Sequence, residues 1–475
     1  MGARMTLPMS LTLQQMHDWL PGSQLVGDPA ALVMRVHTDS RTLLPGDVFV
    51  ALQGERFDGH DFLSQLTAHG VTVAMACHGL AAAGLMGLQV QDTKAALAQL
   101  AKAWRNQFRL PVIAVTGSNG KTTVTQMIAS ILQAWQGEHA LSTQGNFNNE
   151  IGVPLTLLRL RAHHQIAVLE LGMNHPGEIA QLANWAAPTV AVVNNAQREH
   201  QEFMQSVEAV AVENGMVLTA LSAQGVAVFP STDSHQAVWR DLAAPRQVMD
   251  FGDSRAAVHA VSATWQGMAW ALKIQTPQGL VQTQLAVAGQ HNVHNALAAC
   301  AAALAAGVPL PAIQAGLSQF QAVAGRSRAW PIQWAGHRIT VIDDTYNANP
   351  DSVRAAIDVL AMSPGPRLLV LGDMGEVGEQ GPLFHHEVGQ YALQSGIEHL
   401  FTLGELSQHS AKAFPSAQHG NHMEDIQHMV TQLLPQVATV LVKGSRFMRM
   451  ERLVQGLLAA QSSSLTNTAK ESTCC

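Results

Sequence analysis

Residues 112–123 read Val-Ile-Ala-Val-Thr-Gly-Ser-Asn-Gly-Lys-Thr-Thr, and no other stretch constrains the chain so strongly. An apolar run ends at Thr116 and a turn bracketed by Gly117 and Gly120 follows. Lys121 then opens a segment with apolar residues at Val124, Met127, Ile128, Ile131 and Leu132, the spacing of a helix. Strand, glycine turn and helix in that order build a phosphate cradle. Backbone N–H groups of the turn and the helix N-terminus face an anion, and Lys121 can reach its terminal phosphates. Thr122 stands where such loops direct a hydroxyl at Mg²⁺. The commoner loop carries a glycine five positions before Gly120, where this chain has Val115. A Gly-Lys-Thr in an ordinary loop would lack the flanking strand and helix, so nucleotide binding is the expectation.

At 475 residues the chain exceeds what one core accommodates, and two to four domains are expected. A hydrophobic content of 47% with 13% charged residues describes an ordered, alanine-rich globular protein. A formal charge of −7 leaves no basic footprint for nucleic acid. The four cysteines, Cys77, Cys300, Cys474 and Cys475, have neither metal-ligand nor disulfide-framework spacing, which suits a reduced, cytoplasmic protein. Met1 to Ser10 lacks the apolar core of a secretory signal. The most apolar run, Ala296 to Val308, is too short to span a bilayer and reads as a buried helix, so no membrane insertion is expected.

Up to Phe108 short strands and helices alternate without a glycine-rich nucleotide loop, and Val48 to Leu52 reads as a buried strand after the Pro45-Gly46 turn. Ser40 and Arg41 precede it on a loop that could hold a phosphate or a uracil edge. Composition alone favours a plainer arrangement, with Asp39 and Arg41 as a surface pair and His60 capping a loop. Met16, Trp19 and Leu20 read as core. In the middle of the chain, the Asn-rich stretch from Ser142 to Pro154 is a polar loop or a ligand clamp. Ile166 to Gly172 is a buried strand with Glu170 at its end, placed to hold Mg²⁺ directly or through water, or else to pair with a cation. A strand over Thr189 to Val193 leads to His200, and Gln290 to Asn295 offers caps at the start of the alanine-rich helix.

From Gly325 strands at Ile339–Ile342, Leu368–Leu371 and Thr439–Val442 alternate with helices at Ser352–Leu360, Glu387–Leu393 and Met423–Leu434. That is a second α/β domain, an open doubly wound sheet. Polar clusters follow its strands at Asp343–Pro350, Gly372–Glu376 and Lys443–Arg446, as if on one face. The tail from Ser462 to Cys475 is Ser/Thr-rich and is expected to be disordered. No Gly-x-Ser-x-Gly elbow, His-Glu-x-x-His helix or cysteine nucleophile is present, so nucleotide, Mg²⁺ and positioned substrates must carry the chemistry.

The chain resembles the Mur ligase family to about residue 460. The resemblance rests on Thr116–Thr123, Asn146–Pro154 and His291–Asn295. Asp343–Ser352 with Leu371–Glu376 matches the part of the pattern tied to a D-alanyl-D-alanine acceptor. It implies an N-terminal UDP-sugar-peptide-binding domain over 1–108, a central ATP-binding domain over 109–324, a Rossmann-like domain over 325–461, and the tail 462–475. It further implies ATP- and Mg²⁺-dependent ligation of D-alanyl-D-alanine to UDP-N-acetylmuramoyl-tripeptide through an acyl phosphate, by a monomer.

Carried over by motif, Gly117, Asn119, Gly120 and Lys121, completed by Ser118 and Thr123, would hold the β- and γ-phosphates. Thr122 and Glu170 would bind one Mg²⁺ and His200 a second. Asn295, Arg326 and Asp344 would handle the nucleotide, with Lys121, His200 and Arg326 as the catalytic set. Ser40, Arg41, Thr143, Asn146 and Asn149 would face the UDP-sugar peptide, and Asn347, Asn349, Asp373 and Lys443 the acceptor. Many family members use a carbamylated lysine near the second metal; the position aligned to it here is Asn214, so either Glu213 or another group substitutes, or the second metal is held differently. A folylpolyglutamate synthase shares the loop and the acyl-phosphate chemistry, but would lack the N-terminal hundred residues and the Asn-Ala-Asn-Pro stretch. A nucleotide-switch protein would need an Asn-Lys-x-Asp motif, which is missing.

Overall fold

The computed structural model describes residues 9–460. The tail 462–475, the terminal cysteine pair and most of the segment tested for a secretory signal lie outside them. Among the described residues no helix is long and apolar enough to cross a membrane.

The first sheet has five strands in the order Gln24–Val26, Met86–Gln89, Val73–Ala76, Asp47–Val50 and Arg35–His37, parallel except for the first pair. Asp47–Val50 is buried throughout, and the strand expected to reach Leu52 ends two residues earlier. Met16 and Leu20 are buried, and Trp19 lies 6.3 Å from Trp104 between ring centres. The helix Thr93–Arg105 closes this region while packing on the helices Gly152–Leu157 and Glu178–Ala186 of the next one. Trp104 donates its indole N–H to Leu160 O, and the Arg105 guanidinium donates to Ala186 O and Ala187 O. One apolar core therefore runs from Leu97 and Leu100 to Leu157, Leu160 and Leu182.

The second sheet is wholly parallel and has six strands, ordered Gln247–Val248, Val226–Val228, Val190–Val193, Val112–Thr116, Ile166–Glu170 and Ala140–Ser142. Covered on both faces, its strands are continuous apolar runs rather than alternating ones. Val112–Thr116 lies near the centre, between Val190–Val193 and Ile166–Glu170, so the loops leaving all three open at the carboxyl edge, where such sheets bind ligands. The phosphate-loop helix Lys121–Gln136 packs on the alanine-rich helix Gln290–Ala305 and on Leu310–Gln319. The alanine-rich helix starts earlier and stops sooner than the apolar run suggested. Gly289, with φ +93°, is its N-cap residue, so Asn292 lies inside the helix and does not cap it.

A four-stranded sheet of Phe251–Gly252, Val258–Trp265, Trp270–Thr276 and Gly279–Leu285 completes the middle region. The sequence reading assigned nothing there, although Trp270–Thr276 and Gly279–Leu285 alternate buried and exposed residues.

The third sheet is ordered Arg328–Trp334, His337–Asp344, Thr439–Lys443, Arg367–Gly372, His399–Leu403 and Gln418–Gly420. Its first pair is an antiparallel hairpin and the rest are parallel. Separate cores on its two faces make it doubly wound. The expected helices are present: the first two extend further, as Pro350–Ala361 and Gly381–Gln394, and the third, Met423–Leu433, ends one residue earlier. Asn349 caps the first, accepting from Ser352 N at 2.8 Å, with proline at the first helical position, where no N–H is needed.

Polar contacts join this domain to the middle one. Arg198, on the loop after Val190–Val193, donates to Asp351 at 2.6 Å and to Glu387 at 2.8 Å, and Glu387 also accepts from Arg354. Asn349 Nδ2 donates to Asn119 Oδ1 at 3.0 Å.

Two outcomes follow from this packing. A Cβ on Gly316 would lie 2.3 Å from Ile131 Cα, so Gly316→Ala must push two helices apart. It should cost about 1–3 kcal/mol in urea unfolding despite alanine's better helix propensity. Arg198 chiefly, with Arg354, holds the Glu387 carboxyl below its ordinary 4.5 against the opposing effect of burial. A carboxyl depressed in the folded state adds stability that is complete above its unfolded value and is lost as pH falls through the folded one. The urea midpoint of wild type should therefore fall more steeply than that of Glu387→Gln between about pH 5 and about pH 3.

Candidate active site

The phosphate loop is shaped by two glycines and held by asparagine side chains. Gly117 has φ +130° and Gly120 φ +81°, a region that favours glycine. A Cβ at Gly120 would lie 2.5 Å from Asn295 Oδ1 and 2.6 Å from Asn194 Nδ2. Asn195 Oδ1 accepts from Asn119 N at 2.9 Å, while Asn194 Nδ2 donates to Asn119 O at 2.7 Å and to Asn295 Oδ1 at 2.9 Å. From below, the fully buried Asn214 accepts from Thr116 Oγ1 at 2.6 Å and from Gly117 N at 3.0 Å. The strand end thus enters the turn with its hydrogen bonds satisfied by amides, which leaves the loop's upper surface to a ligand.

Lys121 Nζ donates to Gly117 O at 2.6 Å, to Ser118 O at 3.1 Å and to Glu199 Oε2 at 3.0 Å. Beside it, Thr122 Oγ1 donates to Glu170 Oε1 at 3.0 Å, and Asn148 Nδ2 donates to the same oxygen at 2.8 Å. The other oxygen, Glu170 Oε2, is buried with no hydrogen-bond partner in the structure, and the residue is 2% exposed. A buried carboxylate oxygen without a donor is costly, and a hydroxyl beside it completes the kind of oxygen donor set that Mg²⁺ takes. These residues fit a magnesium ion. Among the described residues no group of three or more His, Cys, Asp or Glu could hold a metal alone. That suits a cation whose remaining ligands are phosphate oxygens and water.

A cavity of about 800 Å³ opens over the loop, and the third domain forms its far wall. Arg326 lies there with its guanidinium 4.1 Å from the centre of the Tyr346 ring, its Nε buried without a partner. Lys443, 3% exposed, donates to Asp344 Oδ2 at 2.6 Å and to Asn347 O at 2.9 Å. Burial pushes the Asp344 carboxyl up, but Lys443, His291 and the Ser327 amide together outweigh it, and the net direction is down. Burial also lowers His291, favouring the neutral ring. His200, with φ +47°, sits with Nδ1 2.6 Å from Glu376 Oε2 of the third domain. That contact, more than any other, holds the Glu376 carboxyl below its ordinary value.

Of the residues singled out from sequence, Ser118, Asn119, Gly120, Lys121, Thr122, Thr123, Asn146, Asn149, Glu170, His200, Asn295, Arg326, Asp344, Asn347, Asn349 and Lys443 line this one cavity. Five others do not. Gly117 opens the loop on the strand side, where its N–H is taken by Asn214. Thr143 is buried behind Glu170, its Oγ1 accepting from Glu170 N at 3.0 Å. The Asp373 carboxylate accepts from Ser407 N at 2.7 Å and from Leu406 N at 3.3 Å, so it shapes a turn. Ser40 lies in the one-turn helix Ser40–Thr42. Arg41 pairs with Asp39 at 2.8 Å with its side chain 85% exposed, the surface pair that composition favoured, and holds the Asp39 carboxyl at about 2. His60 likewise pairs with Asp58.

Four residues to which the sequence reading gives no individual role prove central to the geometry: Asn148, Asn194, Asn195 and Glu199. Glu213 turns away, its carboxylate accepting from Gly177 N and Ile179 N at 2.9 Å each, so it does not replace a modified lysine.

Comparison with known proteins agrees with this architecture. Residues 33–105 match the Mur ligase family catalytic domain, 115–303 the Mur ligase middle domain, and 331–446 the Mur ligase glutamate ligase domain. The UDP-N-acetylmuramoyl-tripeptide–D-alanyl-D-alanine ligase of Escherichia coli is 40% identical over 94% of this chain and 98% of its own length. The enzyme of the same name from Haemophilus influenzae is 38% identical over 92% and 96%. A crystal structure of MurF from Acinetobacter baumannii superposes with a TM-score of 0.88 at 36% identity, covering 95% of this chain and 99% of that one. On its sequence, its three sheets and its phosphate-loop cavity, the chain belongs to the Mur ligase family.

Proposed function

We propose that this protein is an ATP-dependent ligase that joins D-alanyl-D-alanine to UDP-N-acetylmuramoyl-tripeptide, giving the pentapeptide for peptidoglycan synthesis. The observation that carries the reading is that the phosphate loop and the segment Asp343–Ser352 share one cavity, Asn349 reaching Asn119 across it at 3.0 Å. Similarity over nearly full length to ligases of that name supports it. The folylpolyglutamate-synthase alternative is disfavoured by the N-terminal sheet and the Asn-Ala-Asn-Pro stretch. That both walls of the cavity come from one chain supports a monomer, and nucleotide-linked substrates suit a cytoplasmic enzyme.

A carboxylate is a poor electrophile, and the reaction first makes it a better one. The tripeptide carboxylate oxygen attacks the γ-phosphorus of ATP, the bond to the β,γ-bridging oxygen breaks, and ADP leaves. The D-alanyl-D-alanine amine then adds to the carbonyl carbon of the acyl phosphate. The tetrahedral intermediate loses a proton from nitrogen and expels phosphate.

The protein's part is to bring like charges together and fix their geometry. Gly117 to Thr123 cradle the phosphates, and Lys121 swings from the loop carbonyls and Glu199 onto the β- and γ-oxygens. Thr122 and Glu170 would hold Mg²⁺, which would supply neutralisation of the phosphate charge. Arg326, stacked on Tyr346, meets the transferring group from the third domain, and Asn295 and Asp344 position the nucleotide. Asn347, Asn349 and Lys443 border the acceptor side. Asn146 and Asn149 are nearest to the donor peptide, and the N-terminal domain, with Ser40 and Arg41, takes the distant UDP end. Thr143 and Asp373 act behind the surface, as supports for Glu170 and for the 404–407 turn.

Phosphate release from ATP and Mg²⁺ should require both UDP-N-acetylmuramoyl-tripeptide and D-alanyl-D-alanine, with the pentapeptide as product. Release indifferent to the dipeptide would sink the reading. Lys121→Ala should lower kcat about 100- to 1,000-fold, with the thermal midpoint near that of wild type. Glu170→Gln should raise the Mg²⁺ concentration for half-maximal rate at least about tenfold, because the orphaned oxygen becomes an amide.

A further inference from the structure

Glu199 was not expected to matter, yet it lies where three parts of the site meet. It is 5% exposed. Its Oε2 is 3.0 Å from Lys121 Nζ and 3.8 Å from His200 Nε2, and its Oε1 accepts from Asn214 Nδ2 at 3.3 Å. Glu170 meets Thr122 and Glu199 meets Lys121, so consecutive residues of the phosphate loop each face a buried carboxylate. Glu199 is also held in place. Asn214, itself fully buried, uses its carbonyl oxygen on Thr116 and Gly117 and its amide nitrogen on Glu199.

Two consequences follow. Position 214 carries no amine, so no carbamate can form there. When Lys121 moves to a phosphate, the Glu199 carboxylate gives up that cation inside a largely desolvated pocket, and a second positive charge at the same place would offset the change. His200, 3.8 Å away, is a nitrogen ligand on the same side. We propose that Glu199 is the anionic ligand, direct or through one water, of a second divalent cation at the transferring end of the nucleotide, and that this chain uses it in place of a carbamylated lysine. Asn214 is its positioning residue. The inference rests on the ligase reading for the identity of the nucleotide, and its test does not require ligation.

The test is a Mn²⁺ titration followed by electron paramagnetic resonance, in the presence of the β,γ-methylene analogue of ATP. Wild type should bind two Mn²⁺ per chain. Glu199→Gln should keep the tighter site and weaken the other at least about tenfold, while Glu199→Asp, which retains the carboxylate, should keep both. Turnover of wild type in bicarbonate-free buffer should equal that with bicarbonate added. A single Mn²⁺ in wild type, two unchanged sites in Glu199→Gln, or stimulation by bicarbonate would each overturn the proposal. Nucleotide-dependent Mn²⁺ binding without D-alanyl-D-alanine-dependent phosphate release would instead overturn the functional reading and leave the cation site standing. If Glu199→Gln does not fold, as judged by circular dichroism, the bicarbonate comparison and the wild-type stoichiometry decide the matter.

Discussion

The site depends on a lattice of side-chain amides around four residues of backbone. A turn with left-handed glycines at both ends is entropically expensive and cannot hold its own shape. Asn194 and Asn195 clamp Asn119 from one side, Asn214 fixes the strand exit at Thr116 and Gly117, and Asn295 fills the space a Gly120 side chain would need. Amides suit this work because each donates and accepts without carrying charge. Charged groups in those places would compete with the phosphates or with the cations that accompany them. The charged residues, Lys121, Glu170 and Glu199, stand one layer out, where they can exchange partners.

Across the cavity the third domain contributes a different kind of surface. Lys443 and Asp344 form a compensated pair there, Arg326 lies over the Tyr346 ring, and Glu376 is held against His200 at the end of a doubly wound sheet. A reaction that brings a carboxylate, a triphosphate and an amine together needs charges that are present but not free to collapse onto one another. Fixed pairs provide that at little reorganisation cost.

How much of this could be read from sequence depended on the range of the interaction. The phosphate loop, Glu170 at its strand end and the α/β alternation after Gly325 were legible because strand, turn and helix periodicities are local. Clusters following successive strands suggested one shared face in the last domain, but the meeting of Asn349 with Asn119 was not legible, since the chain separates the two residues widely. The helper asparagines were illegible for a related reason. Asn148 and Asn149 are neighbours of one type, yet one reaches Glu170 and the other caps the helix at Gly152, a difference set by loop geometry. The family resemblance placed Thr143 and Asp373 on the ligand surface, but each is spent on backbone N–H groups behind it. In the sheet from Phe251 to Leu285 only Trp270–Thr276 and Gly279–Leu285 alternate; Val258–Trp265 is largely exposed and Phe251–Gly252 is two residues long, so the sheet as a whole carries a weak periodic signal.

The two domain junctions are built from different materials. The first is oily: Leu97, Leu100 and Trp104 share a continuous core with Leu157 and Leu182, and the Arg105 guanidinium is spent on carbonyls at the end of a neighbouring helix. The second is wet and ionic, built on Arg198, Asn119 and His200, while each face of the last sheet keeps its own core. Apolar interfaces come apart at a high cost, whereas ion pairs and amide contacts trade readily for water. The molecule is thus mechanically a two-piece object with a single joint, near the segment that carries Arg326. The first two domains share one core, and the acceptor wall is attached to them by the weaker seam.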